Sequence, residues 1–168
     1  MANWDIIGAY GGGQNIDETS TTQKFPLGLV VQGNDIDPDT GYGVGEFIYA
    51  KGVASTVVGS VALIDTNGWT TSLATANDVG QLGCSMSINV ANQFGWYQIT
   101  GNGVAKGLAS LADNKAVYVT ATAGSIDDAG ANNGDLIRGM STVSALDTPS
   151  SGLALVSLAR PYVLDVTF

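Results

Sequence analysis

The residues best placed to do chemistry are four acidic side chains in the segment between positions 35 and 46. Asp35, Asp37 and Asp39 alternate along the chain. Glu46 stands at the twelfth position counted from Asp35, which is the ligand spacing of a calcium-binding loop. However, Thr40 occupies the sixth position, where such a loop needs glycine. The sequence therefore favours a solvated turn, with Asp35, Asp37, Asp39 and Glu46 as candidate metal ligands and no metal or cofactor assigned.

The inventory of reactive side chains argues against catalysis. The chain has no histidine and a single cysteine, which excludes Ser-His-Asp triads, Cys-His pairs and metal sites built from two thiolates. Its glutamates are Glu18 and Glu46, and most aspartates lie in turn sequences such as Asp113-Asn114. Cys84 has no cation beside it in the sequence, so it is predicted to be a small buried apolar residue. No enzymatic activity is predicted.

Charge is sparse and predominantly negative. Charged residues make up 12% of the chain and the net charge is −9, against a charged share of roughly 25% in average soluble domains. The six basic residues are scattered singly, so no stripe for nucleic acid is predicted. No apolar run reaches the ~18 residues of a membrane helix, and the N-terminus does not resemble a secretion signal. We expect synthesis in a reducing cytoplasm and contact between a neutral surface and protein partners.

Glycine shapes the secondary structure. The 23 glycines disfavour long helices, and the short apolar segments between them suit β-strands. Strands are predicted over residues 26–31, 44–50, 56–64, 79–86, 93–100, 115–121, 135–142, 152–159 and 162–167. Their regular spacing is typical of a compact β-barrel or β-sandwich, so the predicted fold class is all-β. Asn67-Gly68 predicts a hairpin with a type I′ turn, and short helical turns are predicted at 87–92 and 108–112.

Two segments bear on domain organisation and partners. Residues 1–24 are predicted to form an extended N-terminal arm, and residues 25–168 a single β domain. The arm carries the apolar side chains Trp4, Ile6, Ile7 and Tyr10 before a polar, glycine-rich stretch. In the segment 153–158 both faces are apolar, which is expected where one face meets another subunit.

The aromatic centre of the chain is the segment 94–99, where Trp96 and Tyr97 point to opposite faces of a predicted strand. The favoured interpretation is that one of these faces belongs to the core. The alternative is an exposed platform, which admits a carbohydrate-binding or adhesion module using Trp69, Trp96 and Tyr97.

Several short segments resemble the head decoration, or cement, proteins of tailed bacteriophages. They are residues 45–56, 59–61, 79–86, 94–101 and 134–139. The resemblance implies a compact β-barrel or β-sandwich on the outside of the virion, which binds the major capsid protein and stabilises neighbouring capsid subunits. It also implies a homo-oligomer, either a homotrimer or a homodimer. No nucleic-acid or membrane contact is predicted, because the basic residues are scattered and no apolar run is long enough to span a membrane. Capsid or subunit contacts are expected at Trp4, Ile6, Ile7, Tyr10, Trp96 and Tyr97.

Overall fold

The computed structural model describes residues 2–8, 13–129 and 135–165. Within these ranges the chain folds into eleven β-strands and contains no α-helix, so the predicted all-β class is confirmed. In chain order the strands are β1 (Trp4–Ile7), β2 (Val30–Asp35), β3 (Val44–Lys51), β4 (Val61–Asp65), β5 (Thr70–Leu73), β6 (Gly80–Ser85), β7 (Phe94–Lys106), β8 (Ala116–Val119), β9 (Ile126–Asp127), β10 (Leu136–Thr142) and β11 (Leu153–Val163).

The long strand β7 organises the sheet. Its first half pairs with β3 and its second half with β11, while Tyr97 and Gln98 also pair with β6. The described pairings are antiparallel except the one between β3 and β5. They run β3, β5, β4, β6, β7 and return to β3, so these strands form a closed ring of neighbours. The choice between barrel and sandwich stays a prediction.

Strand β3 is buried on both faces. Phe47 and Tyr49 pack in one hydrophobic cluster with Trp96, whereas Ile48 and Ala50 pack in another on the opposite face. A third cluster surrounds β11 and β6. Because a strand covered on both sides needs apolar residues at successive positions, this arrangement explains the unbroken apolar run in β3.

The N-terminal segment packs on the rest of the molecule. β1 pairs with β2, with Trp4 opposite Asp35, and the Trp4 ring lies 4.9 Å from that of Phe47. Ile16 is fully buried in the same cluster. Trp4 and Ile16 therefore belong to the core, in one cluster with Phe47. This part of the N-terminal segment packs on the sheet and does not extend from it as the predicted arm. The proposed contact residue Tyr10 lies outside the described residues.

Several predicted element boundaries differ from the observed ones. The first strand, predicted over 26–31, is observed as β2, which begins four positions later at Val30. The helical turns predicted at 87–92 and 108–112 are non-helical turns. The hairpin between β4 and β5 is confirmed, with Asp65 opposite Thr70. Residues 66–69 lie between this pair, so the loop is longer than the predicted two-residue turn. The positive φ falls on Trp69, at 51°.

Candidate functional site

The acidic loop is organised around the carboxylate of Asp35. Its Oδ1 accepts hydrogen bonds from the amides of Asn3 at 3.0 Å and Asp37 at 3.1 Å. Its Oδ2 accepts from the amide of Tyr42 at 3.0 Å and from the Thr40 hydroxyl. A carboxylate that accepts several local donors fixes a turn in the way of an Asx motif. The structure therefore supports the turn interpretation of this segment.

The four candidate metal ligands do not converge. Glu46 leaves the loop on β3 and accepts a hydrogen bond from Nη2 of Arg160 at 2.9 Å. The residues that the structure describes contain no cluster of three His, Cys, Asp or Glu side chains able to hold a metal ion. The spacing of Asp35, Asp37, Asp39 and Glu46 along the sequence therefore does not translate into a shared coordination site.

Asp35 gives the loop a pH-dependent contribution to stability. Burial alone would raise the pKa of Asp35, but the hydrogen bonds from Thr40, Tyr42, Asp37 and Asn3 outweigh it and lower the pKa below its ordinary value of 3.8. A carboxyl group whose pKa is lower in the folded state stabilises the fold above its unfolded-state pKa. That stabilisation is lost as the pH falls through the folded-state value.

We therefore expect Asp35→Ala to lower the free energy of unfolding by about 1 kcal/mol at pH 7. The difference from wild type should shrink as the pH falls below the ordinary pKa of 3.8. Urea unfolding at a series of pH values measures both effects. Asp39→Ala is the matched control, because its carboxylate accepts no hydrogen bond within the described ranges. A constant difference between Asp35→Ala and wild type from pH 7 to pH 2.5 would contradict the assignment.

Trp96 and Tyr97 are core residues on both faces of β7. Each is fully buried, Trp96 with Tyr49 and Phe47 and Tyr97 with Ile48. This confirms the core interpretation of the segment, extends it to both faces and corrects the proposed capsid or subunit contacts at Trp96 and Tyr97. The physical reason is that a hydrophobic cluster covers each face of β7, so neither side chain is exposed to solvent.

The Tyr97 hydroxyl belongs to a buried polar network. It lies 3.1 Å from the Thr71 hydroxyl and accepts a hydrogen bond from Nδ2 of Asn89 at 3.0 Å. Burial raises the pKa of Tyr97, and the hydrogen bonds from Thr71 and Asn89 only partly offset it. Buried hydroxyl and amide groups are costly without partners. The network therefore holds β5, through Thr71, and the loop after β6, through Asn89, in place against β7.

A sugar-binding platform of three aromatic residues is absent from the described surface. Trp96 and Tyr97 are fully buried. Trp69 is half-buried, packs against the cluster that contains Ile48, and lies close over Gly28. Since stacking on a sugar needs exposed ring faces, the three residues do not form the predicted platform.

The Cys84 thiol is also a core group. Cys84 is fully buried on β6, and burial raises its pKa to about 12. A thiol that stays protonated at neutral pH is a poor nucleophile. The prediction of a small buried apolar residue is confirmed.

Two adjoining depressions on the surface form an apolar groove. They measure about 280 Å³ and about 350 Å³ and share Val58 in their walls. We call these two depressions together the apolar groove. The first is lined by Ala2, Asn3, Trp4, Asp17, Tyr42, Val58, Met86, Gln98, Gly103, Val104 and Pro149, and the second by Val57, Val58, Ile88, Lys106, Ser151, Gly152 and Leu153.

Exposed apolar side chains stand at one end of the apolar groove. Ile88 is 60% exposed and Val57 is 40% exposed, and Leu153 is half-buried beside them. Leu153 belongs to the segment with two apolar faces, and it lies opposite Lys106 in the pairing of β11 with β7. The expectation that this segment presents an apolar face is therefore consistent with its place in the groove.

A separate depression, which we call the Arg160 depression, lies where β4, β6 and β11 meet. It measures about 600 Å³ and includes Arg160, Tyr162 and Val79 in its wall. Val79 and Tyr162 are 54% and 39% exposed. Arg160 has a left-handed backbone with φ of 51°, at a bulge in the pairing of β10 with β11. This conformation is unusual for a residue other than glycine, and here it accompanies the ion pair from Arg160 to Glu46.

Comparison of the chain with known protein families, with curated proteins and with solved structures found no match. Among the residues described, no helix is long and apolar enough to cross a membrane.

Proposed function

We propose that the protein is a structural virion protein that binds the outer surface of a tailed-phage head and stabilises neighbouring capsid subunits as a homo-oligomer. The observation that carries the proposal is the apolar groove, whose end at Ile88 and Val57 is exposed to solvent. A contiguous apolar concavity on a protein surface is characteristic of a site for another protein. The resemblance of its short glycine-based segments to head decoration proteins supports the major capsid protein as the partner.

The composition of the surface supports a docking role. With a charged share of 12%, the protein has few of the ionic groups that keep surfaces apart in solution. Large apolar side chains exposed on the described surface are Ile7, Val30, Ile36, Val44, Val57, Val79, Ile88, Val143 and Tyr162. Burial of such side chains against partners releases roughly 25 cal/mol per Å² of apolar surface, and a symmetric oligomer repeats each contact.

The apolar groove and the Arg160 depression lie at positions that suit a protein joining neighbouring capsid subunits. The apolar groove lies beside the N-terminal segment and the second half of β7, whereas the Arg160 depression lies where β4, β6 and β11 meet. Two separate contact regions on one subunit allow it to engage two capsid subunits at once. Linked contacts of this kind raise the total affinity well above that of either contact alone.

Binding to heads tests the proposal. Wild-type protein should co-sediment with undecorated heads assembled from the major capsid protein encoded with this chain, and light scattering should give a homotrimer. Ile88→Asp should weaken head binding at least about tenfold, because it places a charge in the apolar groove. Ala116→Asp is the matched control, since Ala116 is an exposed apolar residue on a strand and lines neither the apolar groove nor the Arg160 depression. Absence of co-sedimentation by wild type would refute the function.

A further inference from the structure

We propose that the 280 Å³ end of the apolar groove, which we call the Trp4 pocket, binds an arginine side chain of the partner surface. The proposal rests on the function above and names the chemistry of one contact within it. Three properties of the Trp4 pocket carry it, namely its apolar walls, its negative electrostatic potential and the absence of basic residues among those that line it.

The walls fit the methylene stem and the flat face of a guanidinium group. Trp4, Met86 and Val104 contribute largely buried apolar side chains to the pocket. Trp4 is held in place by its edge-to-face contact with Phe47 at 4.9 Å. Arginine packs its stem on apolar surface and its guanidinium on aromatic faces. An aromatic wall that is already fixed binds such a side chain without further ordering.

The potential at the pocket is set by carboxylates. Asp17 lies in the wall with an exposed side chain, and no described residue forms an ion pair with it. Tyr42, which also lines the pocket, has its pKa raised by burial and then by the negative charges of Asp35 and Asp37. The same field that disfavours a tyrosinate at this wall favours a cation beside it.

A fixed amide dipole adds to this field. Gln98 is fully buried and lines the pocket, and its Nε2 donates to the carbonyls of Thr100 at 3.0 Å and Asn102 at 2.8 Å. These bonds orient the carboxamide so that Oε1 faces Gly103, where a Cβ atom would lie only 2.1 Å from it. Oε1 has no hydrogen-bond partner among the described residues. An unpaired buried carbonyl next to the pocket contributes negative potential that water does not screen.

Charge complementarity selects the occupant. A neutral apolar side chain would displace water from Asp17 without supplying a cation in its place, and an acidic one would be repelled. Lysine would supply the charge, but its compact and strongly hydrated ammonium packs less favourably against apolar and aromatic walls than a guanidinium group does. Arginine combines an apolar stem that packs on the walls with a positive charge that matches the negative potential.

The probe is N-acetyl-L-arginine amide, titrated into the full-length protein and followed by nuclear magnetic resonance. The indole N–H of Trp4 and the side-chain amide of Gln98 should shift in a saturable manner. N-acetyl-L-citrulline amide, which has nearly the same shape but no charge, should produce no saturable shift. Asp17→Asn should weaken arginine binding about threefold to fivefold, and Asp113→Asn, which removes an exposed carboxylate outside the pocket, should leave it unchanged.

Two further outcomes separate this inference from the proposed function. If wild type binds heads and citrulline binds the pocket as well as arginine does, or the shifts do not depend on Asp17, the arginine assignment is overturned while the docking role stands. If arginine binds with the expected discrimination but the protein does not bind heads, the pocket assignment stands and the docking role fails. Competition by N-acetyl-L-arginine amide for head binding, absent in Asp17→Asn, is the result expected when both are correct.

Discussion

Replacing Trp96 with alanine is expected to lower the free energy of unfolding by about 3–5 kcal/mol. Trp96 is fully buried, and its ring lies 4.9 Å from that of Tyr49 and 5.3 Å from that of Phe25. Truncation leaves a cavity in the cluster that covers one face of β3 and β7, which the paired strands cannot close without breaking their pairing. Urea unfolding followed by far-ultraviolet circular dichroism measures the loss.

Trp96→Phe separates packing from hydrogen bonding at the same position. The indole Nε1 of Trp96 has no hydrogen-bond partner within the described part of the chain, so phenylalanine removes a buried, unpaired donor while it keeps an aromatic ring. We expect this change to cost about 1–2 kcal/mol, clearly less than the effect of alanine. If Trp96→Ala were as stable as Trp96→Phe, Trp96 would not have the packing role that the structure gives it.

The case of Trp96 and Tyr97 shows how far local sequence carries the fold. Alternation along the segment places the two side chains on opposite faces of a strand, and that was predicted correctly. Both faces are buried because β7 is covered by one cluster through Phe47 and by another through Ile48. Those contacts come from the pairing of β7 with β3, which lies some fifty residues away along the chain, and period-two patterning contains no information on such long-range pairing.

The candidate site also has parts that local sequence predicts and parts that depend on long-range contacts. The acidic loop was predicted as a turn because most of its determinants, Asp35 and the donors at positions 37, 40 and 42, are close in sequence. The apolar groove was not predicted, because Trp4, Met86 and Val104 come from segments distant in sequence. The N-terminal segment was misjudged for a related reason. Its polar composition hid the fact that Ile16 is fully buried beneath the sheet.

The second prediction concerns the close approach of Gly52 to the loop after β6. A Cβ atom at Gly52 would lie 1.9 Å from the backbone carbonyl oxygen of Asn89, well inside van der Waals contact. The Gly52 amide donates to the Gln93 carbonyl at 2.8 Å, so β3 cannot move away without losing that bond. We expect Gly52→Ala to lower the free energy of unfolding by about 3 kcal/mol, at the upper end of the cost of overpacking, as measured by urea unfolding.

The cost extends beyond the clash, because Asn89 also holds the Tyr97 hydroxyl at 3.0 Å. Displacing Asn89 leaves a buried hydroxyl short of a donor, which adds a desolvation penalty to the steric one. Gly68→Ala is the matched control, since a Cβ atom there would meet nothing closer than 3.9 Å, and its effect should stay within about 0.5 kcal/mol. Equal stability of Gly52→Ala and Gly68→Ala would mean that the contact between β3 and the Asn89 loop is looser than the structure shows. The buried network around Tyr97 would then not depend on it.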